Sequence, residues 1–259
     1  MPSILDHPLI TARYFFPRAE FPPDPFMVDV GEASLSCIYA RPHPGAKTLV
    51  HFHGNGEIVS DYLGPFTDSV AAIGLNLFLV EYRGYGGSTG TPLLATMLAD
   101  VPKVVSALGS PVHELIFFGR SLGSFYAIHG ATAFPQCAGL IVESGIADVG
   151  ERLLLRVQPQ ELTCTRNEFD AEVRRHFDHQ TKLGAYPGPV LIMHTRHDGL
   201  VDLDHAQRNY DWAVGPKTLK VFEEGNHNTI IPVNAAAYFA AIQTFVQNMD
   251  QVEDQERPS

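Results

Sequence analysis

The 259-residue chain is poor in several features that mark whole protein classes. Its three cysteines, Cys37, Cys137 and Cys164, are an odd number with no CxxC pair. Neither a disulfide framework nor a thiolate zinc site is predicted, and the thiols are expected to be free. Basic residues number 18 against 29 acidic ones, for a net charge of −11. No basic stripe of the kind left by nucleic-acid binding is visible, so no nucleic-acid partner is expected. Met1 to Pro17 lacks a positive start followed by an apolar run, and no later apolar run approaches the roughly 20 residues of a bilayer span. The expectation is a cytoplasmic protein with no membrane span and no sequence signature of oligomeric state. A charged fraction of 18% beside a hydrophobic fraction of 45% excludes wholesale disorder.

What is present is a rhythm of short apolar runs and helical stretches. The Pro-rich opening to Pro25 reads as an extended arm, with structure beginning near Phe26. Phe26 to Val30 and Ser34 to Arg41 flank Gly31-Glu32 and predict a hairpin of two antiparallel edge strands. Six apolar runs come after it: Leu49 to Phe52, Leu77 to Val80, Leu115 to Phe118, Leu140 to Val142, Val190 to Met193 and Leu219 to Phe222. Continuous rather than alternating apolarity predicts a mostly parallel α/β sheet of about eight strands with helices on both faces. Helices are predicted over Asp61 to Ile73, Leu93 to Leu108, Leu122 to Ala133, Asp204 to Ala213 and Val233 to Met249, the second restarting after Asp100 because of Pro102. The chain is expected to be one domain, 1–259. Within it, 145–189 is too long for a simple connection and predicts a small helical cap. Thr165 with Glu168 fits a capping box, and Phe169, Val173 and Phe177 share one helical face.

Chemistry concentrates after the strands. Gly119-Arg120-Ser121-Leu122-Gly123 follows one strand and opens a helix, the context of a nucleophile elbow. By letters alone such a pattern arises by chance in roughly one chain of this composition in ten, so its position carries the weight. A serine is a poor nucleophile at its free pKa and needs a base, itself held by a third group. Among twelve histidines, His227 follows the last strand, at the same sheet edge as Ser121. Asp198 follows the strand Val190 to Met193 and is preferred as the orienting acid over Asp202, Asp204 and Glu143. The small-residue loop His53-Gly54-Asn55-Gly56-Glu57 follows another strand and suits an oxyanion hole built from the N–H groups of Asn55 and Leu122.

The chain order Ser121, Asp198, His227 and the HGN loop resemble the α/β-hydrolase fold superfamily, in its serine esterase/lipase-like branch. Val80-Glu81-Tyr82-Arg83-Gly84-Tyr85-Gly86-Gly87-Ser88 is similar to the DYRGYGxS segment of that family, with Glu81 in place of the usual aspartate. Val142-Glu143-Ser144 resembles its strand before the cap, and the likeness runs from about Phe26 to Met249. The resemblance implies hydrolysis of a small-molecule ester, thioester or amide through an acyl-enzyme on Ser121, with no cofactor. A peptidase and a non-catalytic binding member of the fold are the alternatives.

Metal hydrolysis is the competing chemistry, suggested by His51-Phe52-His53 and His194-Thr195-Arg196-His197-Asp198. The spacing opposes it, because His51 lies inside an apolar strand and His194 and His197 flank a strand end. No metal is expected. The glycines between Gly84 and Gly90 lack the Gly-Lys-Ser/Thr ending that would cradle phosphate.

Overall fold

A computed structural model describes residues 3–256. Eight strands form one sheet: β1 Phe26–Asp29, β2 Ser34–Ala40, β3 Thr48–Phe52, β4 Asn76–Val80, β5 Leu115–Arg120, β6 Gly139–Glu143, β7 Val190–Thr195 and β8 Lys217–Phe222. Their order is β1-β2-β4-β3-β5-β6-β7-β8. The β1–β2 and β2–β4 pairs are antiparallel and every other pair is parallel. β2 is therefore not the edge strand that its hairpin pattern predicts; it is paired on both sides, and β1 and β8 form the edges. β3 and β5 are neighbours although β4 lies between them in sequence, so the chain reverses its direction of travel across the sheet there. Such a switch point opens a crevice at the carboxyl ends of the strands.

Nine α-helices accompany the sheet among the described residues: α1 Pro8–Tyr14, α2 Pro65–Ala72, α3 Asp100–Leu108, α4 Ser124–Ala133, α5 Val149–Leu154, α6 Arg166–Phe177, α7 His179–Ala185, α8 Leu203–Trp212 and α9 Ile230–Glu256. The five central strands β3 to β7 are buried along their whole length. Two apolar layers result, one on each sheet face. One holds Val50, Phe78 and Phe117 and the other Leu49, Leu79 and Phe118. Alternate residues of one strand serve opposite layers, which is why these strands read as unbroken apolar runs.

The opening of the chain departs from the extended arm that its prolines predict. Pro8 occupies the first turn of α1, where its missing N–H costs nothing, and His7 caps the helix by accepting from Leu9 N. Leu5 and Ile10 are fully buried. Asp6 anchors the segment by accepting from the backbone of Ala95 at 2.8 Å and the Thr96 hydroxyl at 2.7 Å. Structure thus begins well before Phe26.

Between β6 and β7, α5, α6 and α7 occupy the interval read as a cap. Thr165 N donates to Glu168 Oε2 at 2.7 Å while Thr165 Oγ1 accepts from Glu168 N, closing the capping box. Phe169, Val173 and Phe177 are buried. In α9, the stretch Ile230–Met249 is long and apolar enough to cross a membrane by length and composition alone. Its Tyr238 and Ile242 are fully buried in the layer beneath the sheet, and 28% of the stretch is buried in all. Cys37 and Cys137 are buried and Cys164 half-buried, all three as free thiols.

Candidate active site

The elbow after β5 is built by steric necessity. A Cβ on Gly123 would lie 2.0 Å from the carbonyl oxygen of Phe52, and one on Gly119 would lie 2.5 Å from the carbonyl oxygen of Gly123. Only glycine lets β3, β5 and the following helix approach this closely. Between them Ser121 is forced to φ +51°, the left-handed region that a serine adopts at a cost of about 1–2 kcal/mol. Its half-buried side chain opens into a cleft that Asn55 and Leu122 also line. Leu122 stands in the first turn of a short helix, where N–H groups have no intrahelical acceptor.

Asp198 and His227 follow the two last strands and meet directly, with Oδ2 of the acid 2.7 Å from Nδ1 of the imidazole. The other carboxylate oxygen accepts from the N–H groups of Leu200 at 2.9 Å and Val201 at 2.8 Å. Burial opposes the charge, but the His227 bond and the two N–H donors prevail and bring the Asp198 pKa down to about 2. His194 adds a fourth neighbour, its Nε2 3.5 Å from Asp198 Oδ2. Among the described residues no hydrogen bond joins Ser121 Oγ to His227, and such contacts commonly tighten only when substrate is present.

The loop His53-Gly54-Asn55-Gly56-Glu57 after β3 is fixed from three sides. His53 Nδ1 meets the Gly54 carbonyl at 2.8 Å and Nε2 meets Glu81 Oε1 at 2.7 Å. Burial alone would discharge this imidazole; Glu81 outweighs it and raises the pKa above the ordinary value. Glu81 also accepts from Val59 N at 3.0 Å and thereby ties the loop to the helical turn Val59–Tyr62. From the second side, Glu57 accepts from Gly54 N at 2.6 Å. The third side is the N-terminal segment, which the prolines had disguised as an arm. The Asn55 amide donates to the Tyr14 carbonyl, and its oxygen accepts from Tyr85 Oη at 3.0 Å.

Of the residues set aside as acids, Glu143 is fully buried but serves elsewhere, accepting from Tyr238 Oη at 2.5 Å. Asp202 is the N-cap residue of α8 and Asp204 lies in its first turn. His51 packs against Tyr62, Phe66 and Phe118, and among the described residues no three His, Cys, Asp or Glu side chains are placed to share a metal ion.

A family profile described as serine aminopeptidase, S33, matches residues 43–169. Alpha/beta hydrolase domain-containing protein 17C of Xenopus laevis is 30% identical over 186 residues, covering 68% of this chain and 55% of the frog protein. Alpha/beta hydrolase domain-containing protein 17B of Homo sapiens is 28% identical over 205 residues, 76% of this chain and 66% of that protein. The match thus spans only about half to two thirds of these relatives. An esterase of Pyrococcus furiosus superposes with a TM-score of 0.69 at 16% identity, over 90% of this chain and 98% of the esterase. The chain belongs to the α/β-hydrolase fold superfamily.

This α/β-hydrolase carries, beside Ser121, a cluster of charged side chains that sequence reasoning did not bring together. Arg120, between Gly119 and Ser121, is buried and reaches Glu57 at 3.0 Å, Glu143 at 3.6 Å and the carbonyl of His227 at 3.0 Å. Burial disfavours its charge, and the two glutamates outweigh that and raise its pKa. The signal was available: Arg120 and Glu143 are charges ending otherwise apolar strands, and the parallel register sets them directly opposite each other.

Proposed function

We propose that the chain is a serine hydrolase that cleaves a carboxylic ester or thioester through an acyl-enzyme on Ser121. The observation that carries this reading is the 2.7 Å contact between Asp198 Oδ2 and His227 Nδ1. With Nδ1–H engaged by a carboxylate, the imidazole is held in the tautomer whose Nε2 has a free lone pair for a proton. In that arrangement Nε2 accepts the Ser121 proton as the oxygen adds to the acyl carbon. The backbone N–H groups of Asn55 and Leu122 hold the oxyanion. The protonated histidine gives its proton to the leaving group. Water, deprotonated by the same nitrogen, then releases the acid and restores Ser121. The strained φ of Ser121 supports the same reading, since such strain, held in place by the surrounding structure, clusters at active sites.

A peptidase is the second reading, favoured by the match of residues 43–169 to a profile described as a serine aminopeptidase. A fluorophosphonate probe followed by a panel of esters, thioesters and short peptides separates the two. Labelling is expected to vanish in Ser121→Ala, with ester or thioester turnover exceeding peptide turnover. Labelling that survives the substitution, or hydrolysis abolished by a chelator, would overturn the mechanism. Labelling without turnover on any substrate would favour a binding role.

A further inference from the structure

Among the described residues, the cleft beside Ser121 has two positive charges in its wall and no negative one. Arg152 and Arg156 line it together with Tyr14 and apolar residues such as Phe125 and Ile146. A chain with 29 acidic against 18 basic residues would on average surround a nucleophile with carboxylates. Other arginines nearby are neutralised. Arg13 is gripped by both oxygens of Glu161, at 3.0 and 2.8 Å, and Arg208 stands within 3.5 Å of Asp148, Glu151 and Asp204.

Arg152 and Arg156 have no carboxylate partner among the described residues. One N–H of Arg152 donates to the Leu200 carbonyl at 2.8 Å, and one of Arg156 to the Arg13 carbonyl at 2.8 Å. Each guanidinium is thus oriented by a single neutral bond, with the remaining donors of its planar fork uncommitted. Arg156 is further stacked over the rings of Tyr14 and Phe16, 5.5 Å from each centroid. The field of both guanidiniums reaches the Tyr14 hydroxyl. Burial raises its pKa to about 12 while Arg152 and Arg156 pull against that rise. Fixed, unpaired guanidinium forks recognise planar or tetrahedral oxyanions.

Resting on the serine-hydrolase reading, we propose that Arg152 and Arg156 select an ester or thioester bearing an anionic substituent, a carboxylate or a phosphate, which they hold while the acyl carbon meets Ser121. The two arginines bind the charge and take no part in the bond-making steps.

The binding arm uses Ser121→Ala protein, which cannot turn over. Monomethyl glutarate and methyl phosphate are each titrated against their neutral dimethyl and trimethyl counterparts. At least one anion is expected to bind about tenfold or more tighter than its neutral partner, and which one does so separates carboxylate from phosphate. The preference is expected to fall to within about twofold in Arg152→Gln/Arg156→Gln, with circular dichroism unchanged. Equal binding of charged and neutral ligands, or a preference that survives the double substitution, overturns the proposal. The turnover arm compares mono-p-nitrophenyl glutarate with p-nitrophenyl butyrate on the wild-type chain. Arginine substitution is expected to lower kcat/KM about tenfold for the first and to leave the second within about twofold. An anion preference in binding with no turnover of either ester would uphold the anion site and count against the hydrolase reading instead.

Discussion

Arg120 donates a hydrogen bond at 3.0 Å to the main-chain carbonyl of His227, so the residue beside the proposed nucleophile holds the loop that carries the proposed base. The same guanidinium lies between Glu57 and Glu143, side chains that are largely or wholly removed from water. Arg120→Met is expected to leave the buried Glu143 and the half-buried Glu57 without their cation and to cost about 3–5 kcal/mol in denaturant unfolding. Arg120→Lys keeps a charge but has no fork to span both glutamates and the His227 carbonyl. It is expected to lose less stability yet lower kcat about tenfold on the best ester of the panel, with KM within about twofold. A drop in KM-governed binding with kcat intact would show that Arg120 contacts substrate rather than positions His227.

Strain and crowding at the elbow are separable. Gly123 has φ −60°, which any residue adopts, so it is glycine because the backbone of Phe52 and His53 approaches it. Gly123→Ala is expected to destabilise by about 3 kcal/mol or more, since backbone rather than a flexible side chain must move. Ser121, at φ +51°, is the converse case. Ser121→Ala and Ser121→Gly both remove the nucleophile, but glycine also removes the left-handed cost, and Ser121→Gly is expected to be about 1 kcal/mol more stable than Ser121→Ala in urea melts. Equal stability of the two variants would mean that the elbow is not strained.

The strands were legible because burial on both faces turned them into unbroken apolar runs, and the positions of Ser121, Asp198 and His227 followed from which strand each one succeeds. The proposed site was legible to the extent that it follows strand ends. What the sequence did not yield was set by pairings distant along the chain. Proline at 8 looks like a breaker until the neighbours show it at a helix start, with Ile10 and Tyr14 facing inward. Arg120 and Glu57 meet across 63 positions of sequence, and no local pattern reports an ion pair of that kind. The N-terminal segment clamps Asn55 through the Tyr14 carbonyl, a backbone group that has no sequence signature at all.

Stability should fall on mild acidification. Burial lowers the pKa of His129 to about 4 and of His179 to about 3, and depresses His51 and His194 as well. For such groups the unfolded chain takes up protons first, so their contribution is complete above the ordinary value of 6.5 and is lost as pH falls toward the folded value. His53 acts oppositely, its raised pKa adding stability that is present below 6.5 and lost above its folded value. His176 and His205 are lowered too, so six histidines outnumber the raised His53 and the raised Glu143 carboxyl, and the urea midpoint is expected to drop from pH 6.5 to pH 4. His179→Gln should flatten the slope by about 1.4 kcal/mol per pH unit, one proton's worth. An unchanged slope would place the acid sensitivity in other groups.

His51 offers the last test. It lies inside β3, almost wholly buried, with ring centroids of Tyr62 at 4.4 Å and Phe118 at 4.7 Å, and neither ring nitrogen has a hydrogen-bond partner. A buried imidazole in that state forfeits its bonds to water without replacement, at a cost of about 1–3 kcal/mol. His51→Leu keeps most of the volume and removes both polar atoms, so it is expected to unfold at equal or higher denaturant, by up to about 1 kcal/mol. His51→Ala leaves a cavity among the same rings and is expected to lose about 2–4 kcal/mol. If leucine proves as damaging as alanine, the imidazole nitrogens are satisfied in solution and His51 holds its place through polarity rather than shape.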